Sequence, residues 1–251
     1  MSASLAWLAA VFFVAFVVEA SLGFGSALVA VSFGSLIIGV DQILPAFMPL
    51  SLALSIYVAG RYRGHIAWPL LGRRILPGML IGLPIGLVAF SRLPAPLLRR
   101  ALGAFVLVLS LLELWRFGRV QANERPRRLG AFTAFALLVL GGVAHGAFAT
   151  GGPIAVYVAG REIGDDKSSF RATLSAVWLV LIVAMIASYA WMGRFTAASA
   201  HLSATLAVPL VLGLVVGEAL HARLPLRTFQ RLVFAVVAVV GIALLAGMGS
   251  R

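Results

Sequence analysis

The chain contains no cysteine among its 251 residues. Disulfides, thiolate nucleophiles and Cys-ligated metals are therefore all excluded. Acidic residues are also scarce, with 8 Asp and Glu against 20 Lys and Arg. No HExxH, DxxxD-type or nucleophile–base arrangement is present, and no cluster of metal ligands. The expectation is a protein that is not an enzyme and carries no cofactor. Charge of either sign is short: 11% of residues are charged, where a soluble domain carries about a quarter. Apolar residues fill the deficit, at 62% of the chain. Such a surplus cannot be buried in water, so the solvent is lipid. A net charge of +12 would suggest nucleic acid in a soluble protein. Here the basic residues sit in short clusters between apolar runs, the pattern of loop arginines facing anionic headgroups. The expected partner is the lipid bilayer, with no nucleic acid, and a homo-oligomer is left open.

No basic residue precedes the first apolar run, so 5–22 reads as a retained membrane segment rather than a cleaved signal. A crossing helix needs about 20 apolar residues. Single crossings are expected at 43–60, 69–90, 97–116, 170–192, 200–221 and 229–248. The pairs 5–22/26–40 and 130–149/152–160 differ, because each is one apolar stretch interrupted at glycine. The first break reads Ser21-Leu22-Gly23-Phe24-Gly25-Ser26, the second Ala149-Thr150-Gly151-Gly152-Pro153. Paired glycines before a proline disfavour continuous helix, while proline suits the first turn of a new one.

If each broken pair returns to its starting side, the regions 61–74, 116–128, 161–171 and 223–231 share one face and hold 15 of the 20 basic residues. That bias marks the face as cytoplasmic and places both termini outside the cytoplasm, in the inner membrane.

The chain also repeats. A shift of 131 residues matches Gly82, Gly86, Arg92, Leu93, Pro94 and Arg100 with Gly213, Gly217, Arg223, Leu224, Pro225 and Arg231. Upstream the shift is 126, pairing Gly25 with Gly151 and Glu19 with His145. The expected organisation is all-α and polytopic: repeat 1 over 1–120, a cytoplasmic linker at 121–129, and repeat 2 over 130–251. Each repeat holds one broken hairpin and three crossings. The odd number inverts the second repeat, a plan recurrent in secondary transporters.

A helix break inside the bilayer strands backbone N–H and C=O groups at several kcal/mol each, and survives only where protein, water or a ligand satisfies them. Helices restarting at Ser26 and at Gly152-Pro153 would aim positive dipole ends at the breaks, a site for a small anion. Candidate substrate-binding residues are Ser21, Gly23, Phe24, Gly25, Ser26, Thr150, Gly151, Gly152 and Pro153. Arg171, whose guanidinium suits oxyanions, joins them. Glu19 and His145, ionisable residues one turn before each break, are candidates for proton coupling. The bland alternatives are close helix packing for the glycines and satisfied polar groups for Glu19 and His145. Close packing is the reading adopted for Gly82, Gly86, Gly213 and Gly217. Glu218 and His221 read as snorkelling toward the interface. Trp68, Trp115 and Trp191 read as belt residues.

These residues resemble the sulfite exporter TauE/SafE family, also called the toluene-sulfonate uptake permease family. The likeness rests on Gly23-Phe24-Gly25-Ser26 and Thr150-Gly151-Gly152-Pro153. Lys167-Ser168-Ser169-Phe170-Arg171-Ala172-Thr173 follows the second break, with Trp178 soon after. Ser26 stands where a further glycine is common in that family. The resemblance covers essentially the whole chain and implies transport of small sulfur-containing or organic anions such as sulfite, thiosulfate or a sulfonate.

Overall fold

The computed structural model describes residues 3–119, 129–164, 166–221 and 226–247. The linker up to residue 128, Asp165 and the Arg223-Leu224-Pro225 half of the repeated motif lie outside the described residues. Among those described, every regular element is helical.

In the first half α1 (Ala3–Leu22), α2 (Ser26–Gly34) and α3 (Val40–Arg61) are followed by α4 (Trp68–Leu70), a π-helical turn (Leu71–Ile75) and α5 (Leu76–Arg92), then α6 (Ala95–Arg119). The second half holds α7 (Ala131–Phe148), α8 (Gly152–Ile163), α9 (Lys167–Trp191), α10 (Ala197–His221) and α11 (Leu226–Leu245). Helix is the form in which lipid leaves no backbone group unpaired within a segment, and it tolerates Pro45, Pro49, Pro84 and Pro209 inside these spans.

Six described helices are long and apolar enough to cross a membrane: Ala3–Leu22, Val40–Arg61, Trp68–Arg92, Ala131–Phe148, Lys167–Trp191 and Ala197–His221. Large apolar side chains line their outer faces, among them Ile81, Ile85, Val208, Val211 and Val215, each more than half exposed. In water such stripes would be a liability; against acyl chains they are at home. The chain is a multi-pass membrane protein. Trp68, Trp115 and Trp191 are all exposed, as belt residues should be.

The helices pack in a pattern that exchanges the halves. α5 lies along α7 and α10 along α1, while α3 crosses α9 and α6 packs on α11. The close approaches are made by glycine. A Cβ on Gly82 would fall on the backbone of Val139 and Val143, and one on Gly86 on Val143 and Ala147. In the other half Gly213 lies against Phe13 and Val17, and Gly217 against Val17 and Ser21. Subtracting 131 from the α10 numbers and 126 from the α7 numbers turns one set into the other. Small residues here bring backbones into contact, which is how helices associate where lipid supplies no hydrophobic drive.

Candidate anion site between the two helix breaks

The two breaks end their helices alike. In the first, Gly23 takes φ 84° and donates its N–H to the Glu19 carbonyl at 2.7 Å. In the second, Ala149 takes φ 56° and donates to the His145 carbonyl, also at 2.7 Å. Gly25, with φ 105°, precedes the start of α2. Proline in the first turn of α8 fits a helix N-terminus, where no N–H is missed.

The breaks meet between the middle turns of α3 and α9. A cavity of about 20 Å³ opens there, room for about one water molecule. Glu19, Gly25, Ser26, His145, Thr150, Gly152 and Pro153 line it, as do Phe47, Ser51, Trp178 and Ile182. Phe24 is buried against Gly152, tying one break to the other. Gly151 is packed so closely on α7 that a Cβ would meet the Gly141 carbonyl and lie 2.8 Å from His145 Cβ. It shapes the break rather than lining the cavity.

Two side chains at the second break have unspent hydrogen-bonding capacity. His145 is 3% exposed and Thr150 1%. Among the described residues neither ring nitrogen of His145 nor the Thr150 hydroxyl has a partner. A buried polar group left so costs roughly 1–3 kcal/mol, which a polar ligand would recover. His145 is held flat against Trp178, with ring centroids 5.5 Å apart and planes 13° off parallel. The Trp178 indole N–H donates to the Gly23 carbonyl at 2.7 Å. One tryptophan thus orients the histidine of the second break and satisfies the backbone of the first.

At the first break Ser26 donates its hydroxyl to the Glu19 carboxyl. Ser21 does not face the cavity; its hydroxyl bonds back to the Val17 and Val18 carbonyls at 2.8 and 3.0 Å. Gly23 serves as packing surface for the Arg171 backbone, with Arg171 Cα 2.8 Å from where a Cβ would stand.

Arg171 lies outside the cavity, seven residues before Trp178 on α9 and so about 10 Å along the helix. It is 1% exposed, pairs with Glu218 and stands 4.8 Å above the Tyr62 ring. The Tyr62 hydroxyl donates to the other oxygen of Glu218 at 2.8 Å. Burial and the Glu218 carboxylate beside it hold that phenol above its ordinary value, so it stays a donor. His221 Nδ1 lies 2.7 Å from the Ser21 carbonyl. Glu218 and His221 are thus engaged with Tyr62 and with Arg171 of α9 and Ser21 of α1 rather than reaching for the interface.

Sequence reasoning passed over Phe47, Ser51 and Ile182 and took Trp178 only as part of a motif. Their signal is weak, because an apolar or aromatic residue in a membrane helix reads the same whether it faces lipid, a neighbour or a site. Among the described residues no group of three His, Asp or Glu is placed to hold a metal ion.

Comparison with curated proteins and with solved structures gives no match. The sequence profile of the family described as sulfite exporter TauE/SafE matches residues 8–244, nearly the whole chain. With its multi-pass helical fold, the chain belongs to that family of membrane transporters.

Proposed function

We propose that this protein is a secondary transporter for a small anion of the sulfite, thiosulfate or sulfonate class. It works by alternating access in the inner membrane, with proton coupling and both termini outside the cytoplasm. The observation that carries the reading is the pair of unpartnered donors, His145 and Thr150, beside the N-terminus of α8 in a cavity enclosed by both breaks. Positive dipole ends and buried donors together suit an anion. The family supports the sulfur-anion class. Two inverted repeats are supported by the residue-by-residue exchange of the glycine contacts between α5–α7 and α10–α1. Related half-bundles can rock about a site held between them.

The test is uptake by proteoliposomes of sulfite, thiosulfate and C2–C3 sulfonates, with and without a pH gradient. Accumulation above the external concentration, driven by the gradient, is the expected result. Purely passive flux would make the protein a channel of the same architecture. Turnover of substrate without translocation would make it an enzyme. His145→Ala is expected to weaken anion affinity or change its pH dependence; an unaltered pH profile removes His145 from the mechanism.

A further inference from the structure

The two halves place different groups at equivalent positions, and the difference points to how a proton follows the anion. Glu19 and His145 correspond through the shift of 126. At the second break the N-terminus of α8 faces a cavity in which His145 and Thr150 await a partner. At the first break the position is taken. Ser26, the first residue of α2 and fully buried, donates its hydroxyl to the Glu19 carboxyl. Among the described residues no cation pairs with Glu19. The protein has therefore set one of its own carboxyl groups where a substrate anion would sit at a helix N-terminus.

We infer that Glu19 is a tethered anion that competes with the substrate for the N-terminus of α2, so that anion binding requires the carboxylate to take up a proton. This rests on reading the cavity as the anion site. Glu19 lines the same cavity as Ser26, His145 and Thr150, so an oxyanion bound there would stand beside the carboxylate. Two like charges sharing a site are disfavoured, and one of them is neutralised. On arrival of the anion a proton from the same side adds to the Glu19 carboxylate, which then releases α2. When the anion leaves, the proton leaves and the carboxylate returns to Ser26. Anion and proton favour each other's binding, so they cross together, as symport. Other ionisable groups face the same region. His145 on α7 lines the cavity. Arg171 on α9 packs against Gly23 but pairs with Glu218 of α10. His221 of α10 contacts the Ser21 carbonyl. α2 and α3 place no titratable group on the cavity.

Protonation of His145 would also favour anions at low pH, so the decisive comparison is made at about pH 8, where an ordinary histidine is neutral. The full chain in detergent is titrated with thiosulfate and methanesulfonate, neither of which titrates in this range, and with sulfite for binding alone. Glu19→Gln keeps an oxygen for Ser26 and removes the charge. It is expected to bind thiosulfate or methanesulfonate roughly tenfold or more tightly than wild type at that pH, the two converging in acid. Wild type should take up a proton as the anion binds, and the variant should not. Thermal unfolding checks that the variant is folded; if it is not, Glu19→Ala carries the same expectation. Equal affinities at about pH 8 with unchanged proton uptake would overturn the inference and leave the anion site standing. So would loss of binding in folded Glu19→Gln at every pH, since Glu19 would then be a ligand rather than a competitor. Failure of wild type to bind any of the three anions would overturn both.

Discussion

Ala149 carries a φ of 56° at the end of α7, a left-handed conformation that costs a residue with a Cβ about 1–2 kcal/mol. The end of α1 has the same N–H to carbonyl bond but uses glycine, Gly23, with φ 84°. Ala149→Gly is therefore expected to stabilise the protein by up to about 1 kcal/mol, read as a rise in melting temperature in detergent. A fall would show that the buried methyl group contributes more through packing than its backbone loses in strain. The neighbouring glycines separate two roles that the sequence runs together. A Cβ at Gly151 collides with the α7 backbone, whereas one at Gly152 finds only ordinary contacts at 3.8 Å or more with Phe24 and Trp178. Gly151→Ala should thus cost about 1–3 kcal/mol of stability. Gly152→Leu should still insert into the membrane, at some cost from overpacking, and abolish anion flux by filling the cavity. Normal flux in a folded Gly152→Leu protein would move the site elsewhere.

Elements were more legible than contacts. Glycine and proline punctuate the chain at 23–25 and 151–153, and helices end and restart there because both residues act on the backbone itself. Glu19 and His145 stood out because an ionisable group in an apolar run demands a reason, and both line the cavity. Trp178 and Ser51 gave no such signal, since each lies mid-helix among residues of like character and only the crossing of α3 over α9 makes them neighbours. Arg171 was legible as buried but not as paired: Glu218 is 47 positions away, and no local rule links them. The repeated glycines were legible as packing residues, and their geometry gives a paired expectation. Gly86 on α5 and Gly217 on α10 occupy equivalent close approaches. Gly86→Val and Gly217→Val should each destabilise the protein by about 1–3 kcal/mol or more, since neither backbone can yield without parting two helices. Thermal melts in detergent read this directly. Tolerance at one position with loss at the other would mean the two interfaces are not equivalent.

On α9 the cavity-lining Trp178 and Ile182 lie between Arg171 and Tyr189, and the contacts made at those two ends differ in chemistry. Tyr62 directly follows α3, and Tyr189 stands near the end of α9. At the Tyr62 end the closure is ionic, with Arg171, Glu218 and the Tyr62 hydroxyl joined. At the Tyr189 end it is aromatic: Tyr189 stacks on Phe90 at 5.3 Å and tilts against Phe195, with Arg194 5.7 Å above the Phe90 ring. Alternating access needs closures that open separately, and two of unlike chemistry can be weakened one at a time. The absence of cysteine makes this measurable, because Ser51→Cys puts a single thiol at the cavity where the parent side chain is 2% exposed. In that background a membrane-impermeant thiol reagent should react slowly from either side. Adding Tyr189→Ala removes the stacked ring and should speed labelling from outside the cell. Adding Glu218→Gln removes the charge facing Arg171 and should speed labelling from the cytoplasmic face, tested in inverted vesicles. Opening from the opposite sides would reverse the orientation read from the arginine bias while keeping the two closures. Opening of both variants from one side would mean that the ends do not act as alternating gates.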